Sequence, residues 1–300
     1  MILMATGATH VILPHFDAEL VMRAIDREKV THLFLPPTAI YMMLAHPDIG
    51  KYDYNSLECF LYAAAPMSVE RLKDCLRVFG PIMAQCFGQV EAPMMCTFFP
   101  PHEHVAALNG HEGRLASCGK PALLTAIAIM DDKGKLLPPG ERGEIVVRGN
   151  LVMLGYYKNP AATEEVSGHG WHHTGDVGYF DEEGFLYIVD RKKDMIISGG
   201  FNIFASEVEQ VVWSHPAVQD CAVIGIPDEK WGEAVKAVIE LKPGKQVSEE
   251  EIIALCKERV GSVKAPKSVE FWETLPRSPV GKVLKKNIRE RFWAGRSRSV

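Results

Sequence analysis

Three hundred residues, 47% hydrophobic and 24% charged, are enough for one large or two medium globular domains with ample core. A net charge of −5 excludes a general electrostatic affinity for nucleic acid or acidic membranes. The seven cysteines are scattered and contain no C-x-x-C pair, so neither a zinc site nor a disulfide framework is expected, and reduced thiols in a cytoplasmic protein are the default. Residues 1–14 are apolar but lack a basic n-region and are broken by Thr, Gly and His. They read as a buried strand and turn rather than a signal peptide. No apolar run approaches membrane-spanning length.

Leu20, Val21, Ala24 and Ile25 fall at helical spacing and predict a helix over 17–27. Residues 31–35 form a short apolar strand stopped by Pro36 and Pro37, after which Thr38 is placed to cap a helix over 39–45. A strand over 57–62 runs into Ala63-Ala64-Ala65-Pro66. Ser68, with Arg71 and Leu72, opens another helix, and 82–86 is a strand again. Strand and helix alternating in this way predict a parallel sheet with crossover helices, whose loops at the carboxyl ends of the strands are the places for ligands. Two such loops are Ala63-Ala64-Ala65-Pro66 and Phe87-Gly88-Gln89-Val90-Glu91.

Residues 100–114 carry His102, Glu103, His104, His111 and Glu112 in a proline-led irregular stretch, for which solvated surface is expected rather than a metal site. Gly119-Lys120-Pro121 opens a β-rich section with strands over 123–130 and 144–148 and a turn over 131–134. His169, His172 and His173 precede Asp176, but adjacent His172 and His173 face opposite ways on a strand, which argues against a metal cluster. A strand over 185–189 leads into the charged knot of Asp190, Arg191, Lys192, Lys193 and Asp194. A second apolar run, 195–197, closes with Ser198-Gly199-Gly200. Beyond it the elements are short and of α+β type. Ser206 with Glu209 and Ser248 with Glu251 spell S-x-x-E capping boxes at the heads of two helices, the second running through Val260. Strands are predicted over 221–226, 235–241 and 269–272.

Taken singly these motifs are weak, and composition alone favours strands, a charged turn and a glycine loop. Their order is specific. Thr174-Gly175-Asp176, Asp190-Arg191 after a strand, Ser198-Gly199-Gly200, and Pro276-Arg277-Ser278-Pro279-Val280-Gly281-Lys282 together resemble the adenylate-forming (AMP-binding) superfamily, of the acyl-CoA synthetase and fatty-acid–CoA ligase type. The resemblance covers nearly the whole chain. It implies an α/β plus α+β fold: part of a parallel α/β large domain over 1–112, a small distorted β-barrel over 113–190, and a mobile α+β C-terminal domain over 191–300, with a hinge at 191–193 centred on Lys193. Pro138 to Glu144 and Met153 to Tyr157 match segments that frame the barrel and receive no chemistry.

The resemblance also implies roles. Ala64, Ala65 and Pro66 would lie against the adenine, Phe87 would stack on it, and Gly88 and Val90 belong to the same nucleotide-binding set. Glu91 would hold Mg²⁺ near the phosphates, as a carboxylate suits a hard cation. Asp176 and Arg191 would hold the ribose, Ser198, Gly199 and Gly200 would line the channel for coenzyme A, and Lys282 is the catalytic lysine. Val90 departs from the family's threonine, keeping its shape but not its hydroxyl donor. The glycine-, serine- and threonine-rich phosphate loop of the family has no counterpart in the sequence, so the resemblance implies a chain that starts midway through the large domain. The implied activity is ATP-dependent ligation of a small-molecule carboxylic acid to coenzyme A through an acyl-AMP intermediate, with no nucleic acid partner, no transmembrane segment, and homo-oligomerisation left open. Two alternatives stand beside it: an adenylating enzyme that loads a carrier protein or oxidises its adenylate, and a non-catalytic nucleotide-binding fragment.

Overall fold

A computed structural model describes residues 5–65, 67–278 and 282–294. The chain divides into two compact units: Met1–Val90 with Met94–Lys120, and Glu91–Pro93 with Pro121–Val300.

In the first unit, helix α1 (Ala18–Glu28) starts where Asp17 caps it, its carboxylate accepting from the Leu20 N–H at 2.9 Å, and stops at Lys29 in the left-handed region. Strand β1 (His32–Leu35) leads to α2 (Pro37–Leu44). Pro37 takes the first helical turn, so the helix begins before Thr38, and Thr38 lies inside it rather than at its cap. β2 (Cys59–Tyr62), α3 (Val69–Phe79) and β3 (Met83–Gln89) complete the alternation. β1 pairs β2 in parallel with His32 opposite Cys59, and β2 pairs β3 in parallel with Phe60 opposite Met83. The strands run in the order β1-β2-β3-β4-β5, where β4 is Ala92–Phe99 and β5 Lys120–Pro121, so β1 has a neighbour on one side only among the described residues. Met22, Ile25, Ile40, Phe60, Tyr62 and Met83 form the buried centre between sheet and helices.

The stretch expected to be irregular surface is ordered: α4 (Pro101–Leu108) is followed by a 3-10 turn, Glu112–Ala116. Pro101 at the first helical position explains the start. His104 is fully buried, contrary to the expectation, with its ring stacked 4.1 Å from that of Phe99. Its Nδ1 lies 3.0 Å from the Pro100 carbonyl and its Nε2 3.0 Å from the Tyr62 hydroxyl. A carbonyl accepts only, so Nδ1 carries the proton and Nε2 accepts from Tyr62. Burial lowers the His104 pKa to about 4 from 6.5. The unfolded chain therefore binds this proton more tightly, and the stability held above pH 6.5 is lost as pH falls towards 4. The loss expected from His104 is ~3 kcal/mol at most. Urea melts of wild type and His104→Gln at pH 7 and pH 4 check it: the variant should lose less stability than wild type between these two values.

In the second unit, β6 (Ala126–Met130), β7 (Gly143–Arg148), β8 (His172–Phe180) and β9 (Leu186–Arg191) form an antiparallel sheet in that order. β6 and β9 do not pair among the described residues, so the expected distorted barrel is an open sheet. β6 also starts later than predicted, leaving Leu123 and Leu124 exposed before it. A short helix, α5 (Pro160–Glu165), precedes β8 and is capped by Asn159.

The remaining elements are β10 (Ile196–Ser198), β11 (Phe201–Ile203), α6 (Ala205–Trp213), β12 (Val218–Asp228), β13 (Gly232–Leu241), α7 (Glu249–Lys264), β14 (Ser268–Trp272) and α8 (Lys285–Glu290). Their sheet runs β11-β10-β13-β12, with β14 parallel to β13. Val208, Val212, Val223, Val235, Ile239 and Ile252 fill the space between it and the helices. Ser248 caps α7 as predicted, accepting from the Glu251 N–H at 3.2 Å. The other S-x-x-E string does not form a capping box. α6 starts before Ser206, no side chain caps it, and Glu209 points inward, where its Oε1 accepts from the Val223 N–H at 2.8 Å. No described helix is long and apolar enough to cross a membrane.

Candidate active site

The segment Thr174-Gly175-Asp176 is pushed out of its sheet. Val146 pairs with His173 and Glu144 with Val177, so two steps along β7 face four along β8. The surplus makes a bulge, a device that re-aims side chains beside active sites. Gly175 absorbs it with φ +70. The bulge is tied down on each side: Thr174 Oγ1 donates to the Ile145 carbonyl at 2.7 Å, and the Gly175 N–H donates to Glu144 Oε1 at 3.1 Å. Glu144 also meets His173 Nδ1 at 3.1 Å and Lys192 Nζ at 3.4 Å. Sequence reasoning missed Glu144, because its partners lie 29 residues or more away.

Asp176 stands directly opposite Arg191 in the β8–β9 register, so both side chains share a face, and Arg191 Nε is 3.3 Å from Asp176 Oδ1. Asp176 is buried, and burial raises its pKa above the ordinary carboxylate value, opposed by Arg191 and then by Lys282. Lys282 responds in the reverse sense. Desolvation of its ammonium and then Arg191 lower its pKa, although the residue as a whole is exposed, and Asp176 opposes them. Asp176, Arg191 and Lys282 thus feel one another's fields, although 91 residues separate Arg191 from Lys282. Asp190, Asp194, Lys193 and Lys285 act on the same groups, and within this mixed field Arg191 and Lys282 are the cations nearest Asp176 in effect, a type of donor that suits an anionic ligand.

Lys193 lies in the 3-10 turn Lys192–Asp194 that follows β9. Asp190, just before it, is buried and accepts from the Arg191 N–H at 2.7 Å and the Ser206 N–H at 3.2 Å. Ser198 is buried, and Gly199 and Gly200 form the two-residue turn between β10 and β11, at φ +57 and +82. Two successive positive φ values are what a tight hairpin turn of this length requires. A Cβ on Gly199 would sit 2.6 Å from the Trp231 ring, whereas Gly200 opens to free space.

Glu91 belongs to the same unit. Its carboxylate accepts from the Tyr156 hydroxyl at 2.8 Å, and its carbonyl accepts from the Met153 N–H at 2.7 Å. That bond to Glu91 raises the Tyr156 pKa. Tyr156 was expected to be architectural only; its hydroxyl fixes the one acidic side chain expected to meet a metal. A carboxylate held in this way, with oxygen donors only, fits a hard cation that takes its remaining ligands from phosphate and water.

The first unit holds the other predicted residues. Ala64 and Ala65 follow β2, and Ala64 has φ +73, a conformation that costs a residue with a Cβ ~1–2 kcal/mol. Such strain gathers at ligand-binding turns. Pro66 lies outside the described residues, as do Pro279, Val280 and Gly281 of the lysine motif. Phe87 and Gly88 sit within β3 itself, not in a loop after it, because the strand runs on to Gln89. Phe87 keeps 9% of its surface exposed, and Val90 is 92% exposed in the turn that follows.

Residues 1–157 match the family model described as AMP-binding enzyme, and residues 207–282 match its C-terminal domain. The chain is 44% identical to the medium/long-chain-fatty-acid–CoA ligase FadD8 of Mycobacterium tuberculosis, an alignment that covers 98% of this chain and 52% of that one. Among solved structures it resembles the amide bond synthetase McbA of Marinactinospora thermotolerans, with a TM-score of 0.90 and 36% identity over 96% of this chain and 58% of that one. It also resembles the o-succinylbenzoate CoA synthetase of Bacillus subtilis in complex with its acyl-adenylate intermediate, with a TM-score of 0.82 and 34% identity over 96% and 56%. The chain spans about half the length of the curated relatives it matches.

Proposed function

We propose a function from one premise: this chain belongs to the AMP-binding enzyme family. In our reading it is the adenylate- and lysine-bearing part of an ATP-dependent carboxylate–CoA ligase acting in the cytoplasm. The observation that carries this is the grouping of Asp176, Arg191 and Lys282. An oxygen of the substrate carboxylate attacks the α-phosphorus of ATP. The bond to the bridging oxygen breaks, and pyrophosphate leaves with the electron pair, giving acyl-AMP. The coenzyme A thiolate then attacks the acyl carbonyl and AMP departs.

Asp176 accepts from the ribose hydroxyls, and Arg191 sets its orientation across the β8–β9 ladder. Lys282 meets the negative charge that develops on the α-phosphate, where a preorganised donor is worth most. Ala64, Ala65, Phe87, Gly88 and Val90 border the adenine. Glu91, oriented by Tyr156, would hold Mg²⁺, which when bound neutralises phosphate charge. Lys193 is the hinge, about which residues 191–300 turn between the two half-reactions relative to 1–112 and 113–190. Ser198, Gly199 and Gly200 border the path of the pantetheine arm.

The test is pyrophosphate release on mixing a version of the protein that also carries the phosphate loop with MgATP and a panel of fatty and aromatic acids, followed by coenzyme A. Acid-dependent pyrophosphate and a thioester are expected. Pyrophosphate released equally without any acid would refute the reading, and acyl transfer only to a carrier protein would change the acceptor. Gly200→Leu tests the channel separately. Its side chain has room in the free protein, and the positive φ costs stability rather than space, so in the folded variant adenylate formation should persist while thioester formation falls ~10-fold and acyl-AMP accumulates. Unchanged thioester formation would remove Gly200 from the channel.

A further inference from the structure

The turn that carries Lys282 is fastened at both ends. At its start, Arg277 reaches two strands at once: Nη1 is 2.6 Å from Asp220 Oδ2 on β12, and Nη2 is 2.9 Å from Glu240 Oε2 on β13. The same Glu240 oxygen accepts from the Leu275 N–H at 2.9 Å. At its end, Lys285 opens α8 and places its ammonium 2.8 Å from Glu209 Oε1 on α6. Burial alone would lower the Lys285 pKa, but Glu209 and then Asp190 outweigh it, so the ammonium is held charged. Between these feet Ser278 and Lys282 bond to each other. The Ser278 N–H donates to the Lys282 carbonyl at 2.8 Å, and the Lys282 N–H donates to Ser278 Oγ at 3.1 Å. Arg277 and Val283 bridge in antiparallel fashion across its base.

These bonds go well beyond what a surface turn needs. A guanidinium split between two carboxylates on neighbouring strands fixes direction as well as distance. Both feet grip elements of the sheet and helix that follow residue 200, so the turn is held by one body. We propose that Arg277 and Lys285 are positioning residues for Lys282: their ion pairs to Asp220, Glu240 and Glu209 hold the turn so that its lysine is presented at Asp176 and Arg191 by the whole body rather than by a loose loop. The inference rests on Lys282 being the lysine that meets the α-phosphate. A displacement of about 1 Å at such a centre costs ~10²-fold in rate, which is why the feet matter to the chemistry.

The charges that face Lys282 are Arg191, Asp176, Lys285 and Asp194. Arg277→Met also removes a charge from Asp220 and Glu240, whereas Arg277→Lys keeps that charge and loses only the two-armed grip, so a shift that persists in Arg277→Lys reports movement of the turn. The experiment is competitive amine labelling of the full chain with acetic anhydride across pH, with the Lys282 peptide read by mass spectrometry. Arg277→Met should raise the Lys282 midpoint towards the ordinary lysine value of 10.5. It should also slow acid-dependent pyrophosphate release ~10-fold or more while sparing thioester formation from supplied acyl-AMP. Arg277→Lys should recover part of both. A folded Arg277→Met protein with a wild-type Lys282 midpoint overturns the proposal. If that variant does not fold, Asp220→Asn loosens the same foot, and an unchanged midpoint there overturns it equally. Lys282→Ala separates the two readings: wild-type adenylate formation in that variant defeats the ligase assignment, while the labelling midpoint still decides whether Arg277 positions the turn.

Discussion

Lys282→Ala is expected to slow acyl-adenylate formation by a factor of ~10²–10³, the cost of removing one preorganised donor from a developing oxyanion. The loss should fall on one half-reaction. On the proposed hinge, residues 191–300 have turned and carried Lys282 away from the phosphate before thioester formation, so that step from supplied acyl-AMP should keep most of its rate. Separate assays of pyrophosphate release and of thioester formation decide the matter, and an equal loss in both would remove Lys282 from its role. Lys282 sits partly desolvated and feels Arg191, and Asp176 offsets part of that repulsion. Lys282→Arg should therefore restore little, because a wider guanidinium must fit beside the one already there.

Glu209→Ala is expected to destabilise the second unit by ~3–5 kcal/mol, the range for breaking a buried ion pair from one side. Glu209 is 4% exposed and does two jobs: it pairs with Lys285 and accepts from the Val223 N–H. Alanine leaves a buried ammonium without its nearest carboxylate and a strand N–H without its acceptor. Urea unfolding followed by tryptophan fluorescence, with Trp213 on α6 as one reporter, measures the change. A loss below ~1 kcal/mol would mean that water or a neighbouring carboxylate replaces Glu209. Glu209→Gln should cost less, since the amide oxygen still accepts from Val223.

Glu209 also shows where the sequence stops being informative. Ser206 and Glu209 have the same spacing as Ser248 and Glu251, yet only the second pair starts a helix with a side-chain cap. The difference is Lys285, 76 positions later, and no local pattern announces it. The same holds for Tyr156 on Glu91 and for His104 under Tyr62, where a long-range contact decides what a polar side chain does. What local chemistry does decide was legible: the helix beginning at Asp17, the parallel strands and the Gly199-Gly200 loop, whereas no pattern announced that Asp176 and Arg191 stand opposite each other on neighbouring strands. The strained Ala64 was not legible as strain, because alanine gives no sign of a left-handed backbone. In β6 to β9 the strands leave a pattern in the sequence, but whether their sheet closes does not.

Strand β1, with a neighbour on one side only among the described residues, bears on how the protein behaves in bulk. Its other side presents backbone donors and acceptors in a row, and Phe34 is 46% exposed among them. Such an edge accepts another strand as readily as water. Association there is second order in protein, whereas folding of the unit is first order. Dilution therefore favours the folded monomer, and the yield of refolding should fall as concentration rises. A lysine in place of Phe34 should flatten that dependence, because charge on an edge strand opposes further pairing.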